Sequence, residues 1–397
     1  MILREVVGRT LQGLAGPKPL IQLMVGPRQV GKTTAAQQVA ERWTHESSYV
    51  SADGTAPFEG EWIRFHWRLA DARGSSNAPC LLILDEIQKI SGWAETVKSL
   101  WDQQAAAPRV LPLILGSSSQ TLHRGAEESL AGRFLLHRCG HWNFAEVREA
   151  FGWTFDEWVY FGGYPGAAAF RAQEETWRAY VRDSLLEPVL SKDVFTVHDI
   201  RKPALLRSLF AFAAAYPAQA VSYTKMMGHL QDAGNTTTLA NYLGILHDAY
   251  LLSGLPKYAS GLARHRASSP KLVFWNNSLC SALDHHTFDS FLQDRTWYGR
   301  LVENAVGGVL LDAASRFGWQ VSTWRERDDE VDYVVEGLGR IWAIEVKSAT
   351  GRTGGLTSFI KRHPEAIPVL IGPGGVDLAT FCASDPLAIL RSLIPRS

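Results

Sequence analysis

Gly26-Pro27-Arg28-Gln29-Val30-Gly31-Lys32-Thr33 fits the pattern GxxxxGK[ST]. Residues of these types at this spacing wrap a polyphosphate. Inward-pointing backbone N–H groups require a turn so tight that only glycine tolerates some of its dihedrals. Lys32 can then reach the β and γ phosphates, while the Thr33 hydroxyl ligates magnesium and Thr34 follows in the first helical turn. Residues 26–34 are thus the expected ATP site, with Mg2+ as cofactor. The run CLLILDE at 80–86 ends in Asp85 and Glu86. Asp85 is expected to hold magnesium through water, and Glu86 to polarise the attacking water. An apolar run ending in two acids says little alone; downstream of a phosphate loop it says a great deal.

These groups need a scaffold. LIQLMV at 20–25 reads as a strand buried on both faces, and TTAAQQVAERW as a helix whose N-terminal dipole faces the phosphates. A third strand, VLPLILG at 110–116, ends in Ser117, which is expected between the phosphates and the water-activating acid. A plain serine-rich turn would have the same letters. Arg133 closes the segment Glu128–Arg133, ahead of the strand FLLHRC. It is expected to act in trans on a neighbouring subunit's ATP, although a lone arginine is usually a solvated surface group. Strand, loop, helix and strand in this order predict a parallel α/β sheet.

Beyond about residue 145 the pattern turns helical, broken by Gly162-Gly163-Tyr164-Pro165-Gly166, a loop or hinge. Helices are expected at 205–215 and Val221–Leu230. A third begins after Asn235 as N-cap and places Leu239, Leu243 and Leu246 on one face. With the following strand LSGLPKY they suggest a winged helix-turn-helix, whose third helix enters the major groove. On that reading Thr237 and Asn241 contact the DNA, as do Arg264, Arg266 and Lys271, the basic ones through phosphates. A helical packing module that touches no nucleic acid is the competing possibility.

The last third carries an acid–acid–acid–lysine set. Glu303 lies on a helix, Asp332 on a strand, and Glu345 and Lys347 two apart on the next strand, hence on one face. The carboxylates are expected to hold magnesium against a phosphate and Lys347 to orient or activate water, which is phosphodiester hydrolysis chemistry. ExK alone is weak, because alternating charge is common on exposed strands.

Composition sets bounds. Lys plus Arg and Asp plus Glu both number 40 in 397 residues, so a uniformly basic nucleic-acid coat and an acidic tail are excluded, and any basic patch is local. At 46% hydrophobic and 20% charged the chain fills ordinary cores. No run of apolar residues is long enough to span a membrane, and the four scattered cysteines form no disulfide pattern, so a cytoplasmic protein is expected.

Taken together, GPRQVGKTT (26–34), LILDEIQ (82–88), GSSSQTL (116–122), SLAGRF (129–134), FGGYP (161–165), GRLVENAV (299–306), WRERDDEVDYVV (324–335) and AIEVKS (343–348) give the chain a family resemblance. It resembles bacterial and archaeal AAA+-type ATPases joined to a C-terminal domain of unknown function of the DUF4143 type. The resemblance covers nearly the whole chain and is specific in order and spacing. It implies a RecA-like P-loop core over 1–145, a helical linker over 146–200, a winged helix over 201–270 and a restriction-endonuclease-like (PD-(D/E)XK) α/β domain over 271–397. It also implies Arg133 as the trans finger and Ser117 as the sensor. Val331 stands where a proline often precedes the acid, leaving cleavage open. The expected function is an ATP-hydrolysing DNA-binding motor acting on duplex or branched DNA as a homo-oligomeric ring, a hexamer, away from membranes. The alternatives are a nucleotide-dependent regulatory switch that binds a protein partner, and an ATP-dependent, Mg2+-dependent DNA nuclease.

Overall fold

Four of the apolar runs near the N-terminus become neighbouring strands of one sheet. The computed structural model describes residues 2–54, 59–104, 107–116, 128–197, 200–232, 234–259, 269–350 and 354–394. Strands β1 (Ile21–Val25), β2 (Ser47–Ser51), β3 (Cys80–Asp85), β4 (Val110–Gly116) and β5 (Phe134–Arg138) form one sheet in the order β2-β3-β4-β1-β5. Every pairing is parallel. β1, β3 and β4 are buried at each position, as strands covered on both faces must be. Helices α1 (Glu5–Leu14), α2 (Lys32–Arg42), α3 (Gly60–Arg73) and α4 (Trp93–Gln104) supply the cover. The polar strand SSYVS pairs along β3 only, and its half-buried residues give no apolar signal in the sequence. In a parallel sheet ligands bind beyond the carboxyl ends of the strands. Val25, Asp85 and Gly116 all lie at that edge.

The chain divides into two units, residues 1–140 and 141–397. The second opens with short helices whose starts are fixed by capping boxes at Asn143/Glu146 and Thr154/Glu157. FGGYP, expected as a loop or hinge, is a buried turn in which the Gly163 N–H donates to Asn276 Oδ1 over 3.1 Å. A helical stretch then passes through two π-helical segments, Tyr180–Leu186 and Val189–Asp193.

Next come α5 (Pro203–Ala214), β6 (Gln219–Ala220), α6 (Tyr223–His229), α7 (Thr236–Asp248), β7 (Leu252–Leu255) and β8 (Lys271–Phe274), with an antiparallel sheet in the order β6-β8-β7. Asn235 caps α7 by accepting from the Thr238 N–H, and Leu239, Tyr242, Leu243 and Leu246 face inward. The sheet closes with β8, one strand past the boundary expected at 270.

The remainder is α8 (Arg295–Phe317), then β9 (Gln320–Glu326), β10 (Asp329–Gly337), β11 (Arg340–Val346), α9 (Gly354–Arg362) and β12 (Ile367–Ile371). The sheet order is β12-β11-β10-β9, antiparallel except for the β11/β12 pair that α9 connects. Leu338 and Gly339 both have positive φ (53° and 70°), which makes β10 and β11 a tight two-residue hairpin. Val331, Val334 and Ala343 meet Leu356 and Phe359 of α9 in its core. Among the described residues no helix is long and apolar enough to cross a membrane.

Candidate functional sites

The loop after β1 is shaped by its backbone. Gln29 and Gly31 take positive φ (61° and 88°), and Gly31 is the N-cap of α2. At Gly26 a Cβ would sit 2.0 Å from the Cys139 carbonyl oxygen, so only glycine lets the loop start this close to the end of β5. Buried Arg4 holds the loop from beneath, donating to the Val30 carbonyl (3.0 Å), the Cys139 sulfur (3.0 Å) and the Gly140 carbonyl (3.1 Å). Lys32 Nζ donates to the Gly26 and Pro27 carbonyls at 3.0 and 2.7 Å. Burial pulls the Lys32 ammonium below its ordinary range, partly opposed by nearby acids. A cation held on loop carbonyls in a buried nest suits a polyanion better than it suits itself.

Beside it, Thr33 Oγ1 donates to Asp85 Oδ2 over 2.8 Å. Tyr49 from the middle of β2 donates to the same oxygen at 2.8 Å; burial and Asp85 push its phenol up to about 12. Glu86 sits at φ 54°, an unfavourable backbone for a residue with a Cβ. Its N–H donates to Asp85 Oδ1 at 2.9 Å, and Gln88 Nε2 donates to its carboxylate at 2.6 Å. Thr33, Asp85 and Glu86 thus converge at one strand edge, and a hydroxyl touching a buried carboxylate is the donor set magnesium takes.

Arg133 precedes β5, and Phe134 pairs with Ile21 while Arg138 pairs with Val25. At about 3.3 Å per residue, Arg133 lies roughly 16 Å from the loop end of the sheet. Its guanidinium is engaged by Asp102 of α4, and that contact draws the Asp102 carboxyl below its usual range. Ser117 lies outside the described residues.

The four polar residues of the C-terminal part come together. Asp332 sits where the β9/β10 register shifts between Val331 and Val334, an irregularity that re-aims a side chain. Its Oδ2 accepts from the Val346 N–H at 2.8 Å, which fixes it beside Glu345. Lys347 Nζ lies 2.6 Å from Glu345 Oε1, while Glu345 Oε2 is buried with no hydrogen-bond partner. Burial and Asp332 push Glu345 up to about 7; the same two causes push Glu303 up to about 8.

A fifth residue belongs to this cluster. Lys271, expected to contact DNA phosphates, is fully buried and forms ion pairs with Glu303 and with Asp332 (3.4 Å). A cation with no exposed surface cannot meet a phosphate on a duplex, so that expectation is corrected. Burial alone would lower its pKa; the Glu303 and Asp332 carboxylates outweigh it and hold Lys271 above its usual value. Its strand is pinned by Asn304, whose amide accepts from Phe274 N–H (2.9 Å) and donates to Phe274 C=O (3.1 Å). The adjoining GRLVENAV motif was legible; this use of its asparagine was not.

Of the other expected DNA contacts, Thr237 and Asn241 are exposed on α7, and Arg264 and Arg266 lie outside the described residues. Asp284, His285 and His286 could group around a metal ion, but both His286 ring nitrogens already face carboxylates, of Asp284 and Asp294.

A parallel sheet with a phosphate loop after one strand and paired acids after the next but one defines a P-loop ATPase fold. Residues 18–148 match the family described as an AAA domain, and residues 152–290 and 298–379 match two domains of unknown function, DUF8612 and DUF4143. The matched AAA region begins just ahead of β1 and takes in all five strands of the parallel sheet, and the matched DUF4143 region takes in the sheet of β9 to β12. An uncharacterized protein of Mycobacterium tuberculosis is 28% identical over 335 residues, 82% of this chain and 70% of the relative. One of Haemophilus influenzae is 20% identical over 352 residues, 82% of each. The Walker-type ATPase of Pyrococcus abyssi superposes with a TM-score of 0.47 at 14% identity, over 71% of this chain and 96% of that one.

Proposed function

We propose that the protein hydrolyses ATP and uses the resulting motion to process duplex or branched DNA. The contact between Thr33 and Asp85, beside Lys32 and Glu86, carries the ATPase part. Lys32 leaves the loop carbonyls for the phosphates, Thr33 and Asp85 hold Mg2+, and Glu86 takes the proton of the attacking water. The bound ion supplies neutralisation of the developing phosphate charge. Arg133 reaches a neighbour's ATP in a ring-shaped homo-oligomer, read here as a hexamer.

The DNA part rests on two features. The element order α5-β6-α6-α7-β7-β8 supports a winged-helix reading, with Thr237 and Asn241 exposed on α7. An exposed asparagine amide matches an adenine edge, and Arg264 and Arg266 would supply phosphate contacts. The Glu303, Asp332, Glu345 and Lys347 set, carried by a helix and an antiparallel hairpin, supports reading this part as a restriction-endonuclease-like domain. The buried orphan oxygen of Glu345 fits a divalent cation.

One observation favours a second reading. α7 carries no Lys or Arg, and Lys271 is unavailable, so the reading helix itself brings no Lys or Arg to a phosphate. A nucleotide-dependent switch gripping a protein partner would need none. The discriminating measurement is the ATPase rate against single-stranded, duplex and four-way-junction DNA, with Glu86→Gln as control. Stimulation by duplex or junction supports the motor; no stimulation and no DNA binding leaves the switch.

A further inference from the structure

Lys271 is used by neither the ATP site nor the reading of α7, yet it is the most enclosed charge in the C-terminal cluster. Its ammonium contacts the Glu303 carboxylate, the Asp332 main-chain oxygen (3.1 Å), Asp332 Oδ1 (3.4 Å) and, at 3.9 Å, Glu330. The Tyr333 ring centroid lies 4.7 Å away, and the Tyr333 hydroxyl donates to the Glu303 carbonyl at 2.8 Å. Gly307 permits this packing, since a Cβ there would meet the Tyr333 hydroxyl at 2.4 Å and Val273 at 2.7 Å. With β8 paired on both sides and clamped by Asn304, the ammonium has nowhere to swing.

The two sides of the cluster are therefore unequal. On the Glu303 side the carboxylates already surround a cation. On the Glu345 side the cation is Lys347, which is partly exposed and takes one carboxylate oxygen, while the other, buried, oxygen has no partner.

We propose that Lys271 is a resident cation of this site, occupying the position between Glu303 and Asp332 that a second divalent ion would need, so that the site takes a single divalent cation, at Asp332 and Glu345. Sites with two metals hold them about 3.5–4 Å apart between shared carboxylates. A fixed ammonium at that place repels a second divalent ion and satisfies the ligands it would use. Removing the ammonium leaves buried carboxylates uncompensated, a state that a divalent ion relieves. The proposal concerns cation occupancy and holds whether or not the site cleaves DNA.

The test uses full-length, nucleotide-free protein titrated with Mn2+ by electron paramagnetic resonance, alongside thermal midpoints in chelator and in Mn2+. Wild type is expected to bind one ion at this site, lost in Glu345→Gln. Lys271→Met is expected to bind one ion more than wild type, and to melt lower in chelator but regain its midpoint with Mn2+. Equal Mn2+ stoichiometry in Lys271→Met and wild type would overturn the proposal, as would two ions at this site in wild type. Should Lys271→Met fail to fold, Lys271→Met/Glu303→Gln decides: it should fold and bind no extra ion. A double variant that is equally unfolded, or that takes the extra ion, sinks the idea.

Discussion

Arg133 and Asp102 form a two-pronged ion pair, Nε to Oδ1 at 2.7 Å and NH2 to Oδ2 at 3.0 Å, at the end of the sheet remote from the phosphate loop. From there Arg133 cannot serve its own chain's nucleotide. Arg133→Ala is expected to retain ATP binding and lose hydrolysis by on the order of 10³-fold. Mixing Arg133→Ala with Glu86→Gln chains should recover part of the rate, because some interfaces then combine an intact acid with an intact arginine. A steady-state assay checks both, and wild-type hydrolysis by Arg133→Ala alone defeats the trans assignment.

Glu86 offers a separation of strain from chemistry. Glu86→Gln should bind ATP normally and turn over at least about 10²-fold more slowly. Glu86→Gly relaxes the positive φ while deleting the carboxylate, so it should melt no lower than Glu86→Gln and be equally inactive. Lys32→Ala, by contrast, should lose nucleotide binding in calorimetry. An active Glu86→Gly would mean that another group takes the proton.

His137 on β5 gives a pH signature to the first unit. Burial, helped by Arg9, depresses its imidazole to about 4, and the ring bonds the Gln22 amide at 2.7 Å. The unfolded chain has a pKa near 6.5, so the unfolded state takes up the proton first on acidification. Stability from this group is full above pH 6.5 and drains away as pH falls toward 4. Between pH 7 and 5 the loss should be on the order of 2 kcal/mol. Urea unfolding at the two pH values should show a smaller loss for His137→Gln; equal losses would place the acid sensitivity elsewhere.

For the C-terminal cluster, cleavage predicts Mg2+-dependent nicking of duplex DNA. Lys347→Ala and Asp332→Ala should each abolish nicking, while ATP turnover stays within about twofold, since neither residue belongs to the AAA domain. Nicking that survives both substitutions would assign the cut to another source, and its absence in wild type would leave the cluster a binding site.

The sequence made the local chemistry visible and hid the long-range pairings. Residues 26–34, Asp85 and Glu86 sit within single strand–loop units, so motif spacing alone placed them. Glu303, Asp332, Glu345 and Lys347 were also readable, because a helix and one hairpin carry all four. Lys271 was misread because its partners come from α8 and β10; in sequence it merely follows a basic run. Tyr49 touches Asp85 only because β2 pairs with β3 in register, with Ser51 opposite Asp85. The polar SSYVS carries no apolar stripe to announce that pairing. FGGYP reads as a loop or hinge by composition, yet its glycines sit in a buried turn, where a Cβ at Gly162 would meet Asn276 and one at Gly163 the Trp142 carbonyl.

β5 is five residues long, with Arg133 just before its first residue and Cys139 just after its last. Cys139 donates to the Val25 carbonyl at 2.8 Å, and its own carbonyl abuts Gly26. One short strand therefore runs from Arg133 to the loop that begins at Gly26. If chains assemble as proposed, β5 would carry a displacement of one chain's phosphate loop to the base of the Arg133 side chain that faces the next.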